Sequence, residues 1–274
     1  MKNPLSVISV LQSVVQHRKL IYQLAKREIL GRYRGSIAGL AWSFFNPLLM
    51  LAVYTFVFSY VFNARWGGAG AVAGSRSEFA VILFAGIMVH GFLSECIGRA
   101  PMLILGNASY VKKVVFPLEI LTWSAVASAF FHMLITLSVL LLAEFILLGH
   151  IPWTVVFFPL VIFPLVLVAA GVTWFFAALG VYYRDIGQIT GLLATVLLFL
   201  SPALYPVSSL PAQMRDLIYL NPLTFIIEQS RNVLMWGIVP DWGGLAQYFV
   251  VSMAIAYLGY YWFQLVRRGF ADVV

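Results

Sequence analysis

The chain has 274 residues, 62% of them hydrophobic and only 10% charged, with a formal net charge of +7 and a single cysteine. Soluble domains carry about 25% charged residues, so this composition excludes an ordinary soluble protein and points to one polytopic membrane domain, residues 1–274. Cys96 alone excludes an intrachain disulfide framework and a multi-cysteine metal site, and the cations gather at the ends of hydrophobic segments, which argues for anionic lipid and against nucleic acid as their partner.

The short apolar run 5–15 lacks a cleavage site, so no cleaved signal peptide is expected. Over residues 17–35, Leu20, Ile21, Leu24 and Ile29 recur near helical spacing among clustered cations, which predicts an amphipathic helix on the membrane surface. From 37 to 62 no residue is charged, and that length exceeds the ~20 residues a helix needs to cross the bilayer. Further spans are predicted at 79–97, 119–148, 155–183, 189–204 and 245–266. Residues 208–237 are apolar enough to suggest a seventh. There, however, Glu228 and Arg231 would each cost ~2.5–3.5 kcal/mol at a span centre, and Pro202, Pro206, Pro211 and Pro222 cut the stretch into pieces. Two short helices that dip into the outer face and return fit better, since re-entrant backbone is tolerated where protein buries it or a wet cavity adjoins it. The fold class is therefore an all-α integral membrane protein with six transmembrane helices. Thirteen of the seventeen Lys and Arg residues then fall on the side of both termini, which predicts cytoplasmic termini.

Catalytic motifs are missing from the sequence. No G-x-x-x-x-G-K-[ST] occurs, and the glycine-rich loop 67–74 has neither lysine nor preceding strand, so nucleotide hydrolysis on this chain is not expected. His17, His90, His132 and His150 show no ligand spacing, and no metal is expected. What remains suits a conduit. Tyr54, Phe58 and Phe62 fall on one helical face at i, i+4, i+8, and with Trp42, Phe45 and Tyr205 they could stack on sugar rings, or else act as interfacial anchors and packing. Ser124, Ser128, His132 and Thr136 form a second stripe, either gluing helices together or facing a polymer. Glu95 and Arg99 are spaced to pair at the inner end of the second span and close its mouth, whereas Glu144 has no partner that spacing identifies.

The run 24–36, Leu-Ala-Lys-Arg-Glu-Ile-Leu-Gly-Arg-Tyr-Arg-Gly-Ser, continued by Leu-Ala-Trp-Ser-Phe-Phe-Asn-Pro at 40–47, resembles the transmembrane subunit of ABC-2-type polysaccharide exporters. Val-Lys-Lys-Val-Val-Phe-Pro-Leu-Glu-Ile-Leu at 111–121, Tyr-Arg-Asp-Ile at 183–186 and Asn-Pro-Leu at 221–223 extend the likeness over nearly the whole chain. The resemblance implies a half-transporter of the bacterial inner membrane. Two copies would form a channel for a lipid-linked polysaccharide, O-antigen foremost, driven by two copies of a separate ATPase that holds ATP and Mg; no cofactor is expected on this chain. It further implies that 107–117 is the coupling helix docking on the ATPase, through Asn107, Tyr110, Lys112, Lys113, Phe116 and Pro117. Residues 17–35 would be the interface helix, and 208–237 a gate hairpin at the exit. Arg27, Arg32 and Arg34 would receive the lipid diphosphate, or serve as plain anchors among anionic headgroups. Two rival readings remain: an ABC-2 exporter of a small lipid or drug, and an intramembrane glycan transferase, for which Glu95 or Asp185 would be the acid or base. A transferase should turn over without an ATPase.

Overall fold

The computed structural model describes residues 7–61, 76–112 and 116–273, and every regular element within them is helical. Helix α1 (Val7–Arg32) breaks at His17, where φ is −106° and ψ 15°. Beyond the break Ile21, Leu24 and Ala25 are buried, while Arg18, Lys19, Lys26 and Arg27 are exposed, as the amphipathic spacing requires. The first apolar stretch is a short 3₁₀ turn (Gly39–Ala41), then α2 (Trp42–Tyr54), then a π-helical segment (Thr55–Val61). Next come α3 (Arg76–Leu103), the one-turn α4 (Ala108–Val111), α5 (Glu119–Leu148) and α6 (Phe158–Tyr182). The chain continues through α7 (Ile186–Phe199), α8 (Ala212–Ile218) and α9 (Pro222–Leu234), and ends with α10 (Trp242–Val266) and α11 (Phe270–Val273).

Five apolar segments among the described residues are long enough to cross a membrane: Gly39–Phe58, Glu78–Leu103, Glu119–Leu148, Trp153–Tyr182 and Trp242–Val273. The fifth expected crossing, 189–204, differs. α7 has 14 residues, about 21 Å at 1.5 Å per residue, against a hydrocarbon core of about 30 Å.

α3 is the axis of the bundle: it is buried along most of its length and packs on α5, α6, α7 and α9. α6 makes its most extensive contact with α10, at a backbone crossing. A methyl group at Gly259 would lie 2.1 Å from the Gly171 carbonyl oxygen, and one at Gly171 would lie 2.5 Å from that of Ile255. Gly180 meets Pro101 of α3 as closely, at 2.2 Å from its carbonyl oxygen. Between these contacts Trp174 fills the core, its ring centroid 5.2 Å from those of both Trp123 and Tyr260, and its Nε1 donates to the Glu119 carbonyl at 3.2 Å.

The segment after α7 explains how a short helix can sit in such a bundle. The last carbonyls of a helix have no intrahelical donor, and in hydrocarbon no water replaces it. α9 supplies the donors. Asn221 caps α9 by accepting from Leu223 N–H at 2.9 Å, and its Nδ2 donates to the carbonyls of Leu197 (3.2 Å) and Leu200 (3.0 Å). Arg231 donates to the carbonyls of Pro202 (Nη1, 2.6 Å), Ala203 (Nη2, 2.9 Å) and, on α3, Ile82 (Nε, 3.1 Å). Arg231 is only 1% exposed. The two short helices expected between 208 and 237 are therefore unequal: α9 is largely buried, whereas α8 is exposed over 213–217 and buries Ile218. Tyr219 between them donates to the Glu228 carboxylate at 2.6 Å.

Candidate functional site

Two i,i+4 stripes face one another where α3 packs on α5 next to the Phe92–Phe130 ring contact: Glu95 and Arg99 on α3, Ser128 and His132 on α5. The C-terminus of α1 brings a third element, Arg32. Glu95 Oε1 accepts from Arg32 Nη2 at 2.6 Å and from Arg99 Nη1 at 3.2 Å, and lies 3.0 Å from His132 Nδ1. Arg99 also donates to Ser128 Oγ at 3.3 Å and forms an ion pair with Glu28 of α1. His132 Nδ1 is 3.0 Å from Arg32 Nη1 as well, so a single tautomer satisfies either the carboxylate or the guanidinium but not both. With Arg32 39% exposed, its pair with Glu95 contributes about 0.2–1 kcal/mol, too little to explain the cluster as a stabilising device. Its arrangement is better read through what it adjoins.

On one side of the cluster opens a cleft of about 250 Å³, lined among others by Tyr33, Ser43, Asn46, Tyr54 and His132. On the other lies a cleft of about 450 Å³ that includes Arg27, Glu28, Arg99, Asn107 and Ser124. The second cleft reaches the segment after α3. There Arg27 Nη1 donates to Tyr110 Oη at 2.6 Å with its guanidinium 5.5 Å from the ring centroid, and Tyr110 stacks on Phe116 at 4.3 Å. Asn107 Nδ2 donates to the Leu103 carbonyl at 2.9 Å, and the Pro117 carbonyl accepts from Ile120 N–H at 3.1 Å at the start of α5. Lys112 is exposed; Lys113 lies outside the described residues.

The aromatic set expected as one lining is distributed over several surroundings. Tyr54 lines the smaller cleft, and Phe58 packs on Phe79 of α3 with centroids 6.1 Å apart. Trp42 and Phe45 are exposed on α2, Tyr205 donates to the Phe199 carbonyl at 2.9 Å, and Phe62 lies outside the described residues. The segment Thr55–Val61 that carries Phe58 is π-helical.

The Glu95–Arg99 pair was legible from spacing. Glu28, Tyr33 and the long-range partners Arg32–Glu95 and Arg27–Tyr110 were not, because nothing in a single sequence relates positions 63 or 83 residues apart. Arg34 lies exposed in the turn after α1. Among the described residues no group of His, Cys, Asp and Glu is placed to hold a metal ion.

Residues 19–235 match the family model described as ABC-2 type transporter. The chain is 27% identical over 98% of its length, and 100% of the relative's, to the O-antigen export system permease protein RfbA of Myxococcus xanthus. It is 22% identical over 85% of its length to the polysialic acid transport protein KpsM of Escherichia coli, covering 88% of that protein. The capsule polysaccharide export inner-membrane protein BexB of Haemophilus influenzae is likewise 22% identical, over 90% of this chain and 91% of its own.

Proposed function

Since the chain belongs to the ABC-2 type transporter family, we propose that it is the membrane half of an ATP-driven exporter that moves a lipid-linked polysaccharide, most simply O-antigen, out across the bacterial inner membrane. The observation that carries this reading is the end-to-end likeness to permeases named for polysaccharide export. Two copies form the pathway and two copies of a separate ATPase drive it. The exposed aromatics Trp42 and Phe45 give each copy a flat apolar surface on which successive sugar rings slide, held weakly enough for release.

The machinery has two ends on this chain, an entrance and an ATPase contact. Arg27, Arg32 and Arg34 lie on or just beyond α1, where guanidinium forks suit the oxygens of a diphosphate carrier. The segment 107–117 receives the ATPase, with exposed Lys112 meeting its acidic surface. Arg27–Tyr110 ties that segment to α1, so motion at the ATPase contact is delivered to the entrance helix through a packed hydrogen bond rather than through free chain.

Replacing Lys112 and Lys113 together by glutamate is expected to leave the protein inserted and dimeric but to abolish glycan-stimulated ATP hydrolysis and polymer export. The measurement is ATPase turnover of the reconstituted complex beside surface glycan in cells. Normal export by the double variant would overturn the coupling role of this segment.

A further inference from the structure

The cluster at the foot of the smaller cleft is already neutralised from within. Arg32 and Arg99 face Glu28 and Glu95, so an arriving anion meets no net positive charge while Glu95 holds Arg32. The sharing is lopsided. Three donors converge on Oε1 of Glu95, whereas Oε2 contacts His132 Nδ1 alone, at 3.2 Å. One carboxylate oxygen offers two lone pairs, so three donors overfill it. His132 Nδ1 is caught between Glu95 and Arg32, and His132 Nε2 is buried without a hydrogen-bond partner. These donors would be better served by an anion with more oxygens than a carboxylate has.

We infer that Glu95 is a placeholder anion: its carboxylate occupies the position that the diphosphate of the lipid carrier takes when it enters, and the carrier binds by displacing it. This rests on the entrance reading above and adds the residue that competes with the substrate there. The displaced carboxylate has somewhere to go, because Arg99 stands one helical turn along α3 and already bonds it. Arg99 is in turn held by Glu28 and Ser128, so it can take over the carboxylate without leaving its place. Arg32 is then free to present both guanidinium nitrogens to a phosphate in a bidentate fork, and His132 is relieved of its double demand. Without the placeholder, Arg32 would stand half-exposed beside the membrane, available to any anionic phospholipid.

The experiment measures binding of a polyprenyl diphosphate, and of the polyprenyl alcohol of equal chain length, to the purified full-length permease in nanodiscs. The variants are Glu95→Gln, Glu95→Asp and Arg32→Gln. Glu95→Gln keeps the shape and removes the competing charge, and is expected to bind the diphosphate about tenfold more tightly than the unaltered protein. Glu95→Asp, which keeps the charge on a shorter arm, should fall between the two. Equal binding of the alcohol by all variants verifies that the fold is intact and that the gain belongs to the phosphates. Unchanged or weaker diphosphate binding in Glu95→Gln, with Arg32→Gln still impaired, would overturn the placeholder and leave the entrance standing. Undiminished binding in Arg32→Gln would remove the entrance reading itself. Phosphatidylglycerol displacing the diphosphate at equal concentration would show the site to be one for phospholipid and overturn the proposal.

Discussion

Replacing Arg231 with methionine is expected to cost the protein about 2–6 kcal/mol, at roughly 1–3 kcal/mol for each of two buried carbonyls left unpaired. Methionine fills similar space, so the loss comes chiefly from the carbonyls of Pro202 and Ala203, which would lose their donor in a place water does not reach, while Ile82 inside α3 would keep its helix bond. Pro202 and Ala203 follow the end of the short helix α7, and Ile82 lies on the central helix α3, so one side chain closes three segments together. Lysine would restore the charge but not the fork, and should recover less than half of the stability. Thermal unfolding in detergent, followed by size-exclusion of the protein that stays folded, measures the effect. A melting temperature unchanged by Arg231→Met would remove this role. The approach is tight on the opposite side too, since a methyl at Gly86 would sit 2.5 Å from Arg231 Nη2 and 2.9 Å from the Ala203 carbonyl oxygen.

Gly259→Ala is expected to produce the second large loss, about 3 kcal/mol, at the top of the usual range for overpacking. The added methyl would meet backbone atoms of Gly171, the nearest at 2.1 Å, and backbone cannot swing aside as the tip of a side chain can. Relief requires α6 and α10 to separate, which loosens the Trp174–Tyr260 contact beside the crossing. Gly31→Ala near the end of α1 is the matched control. No atom lies within 4 Å of that added methyl, and alanine at an exposed helical position gains up to about 1 kcal/mol over glycine. If both variants melt alike, the close crossing is not what holds these helices.

Hydropathy and charge were enough to delimit most of the helices, because a bilayer makes length and apolarity decisive. The spans expected at 119–148 and 245–266 correspond to Glu119–Leu148 and Trp242–Val266 within three residues at either end. Arg231 shows where that logic fails. The cost of a charge in hydrocarbon argued for a hairpin at the rim, yet that cost is met by carbonyls, and the need of Pro202 and Ala203 for a donor appears only once α7 is seen to stop short. Gly171 and Gly259 were equally silent, since a glycine's role as a crossing point depends on a helix 88 residues away. At the candidate site, the Glu95–Arg99 stripe was readable from helical spacing, whereas the claim of Arg32 and His132 on the same carboxylate depended on packing. In the first span Tyr54 lines the smaller cleft and Phe58 packs on Phe79 of α3, partners that a spacing of four does not name.

The inequality between α8 and α9 bears on how an exit at this end could work. α9 is stitched to α7 and α3, so moving it would expose the carbonyls it serves and approach the cost of unfolding that corner. α8 bears no such load. Arg215 bonds the carbonyls of Ser208 and Leu210, within its own lobe, which lets the lobe travel as a stiff unit. Two hydrogen bonds hold it to α9, Tyr219 to Glu228 and Thr224 Oγ1 to the Ile218 carbonyl at 2.6 Å, and loss of the first alone costs roughly 1.5–3 kcal/mol. A hinge at 219–221 would therefore let α8 swing as one flap at the cost of those two bonds, without loosening the helices that carry it.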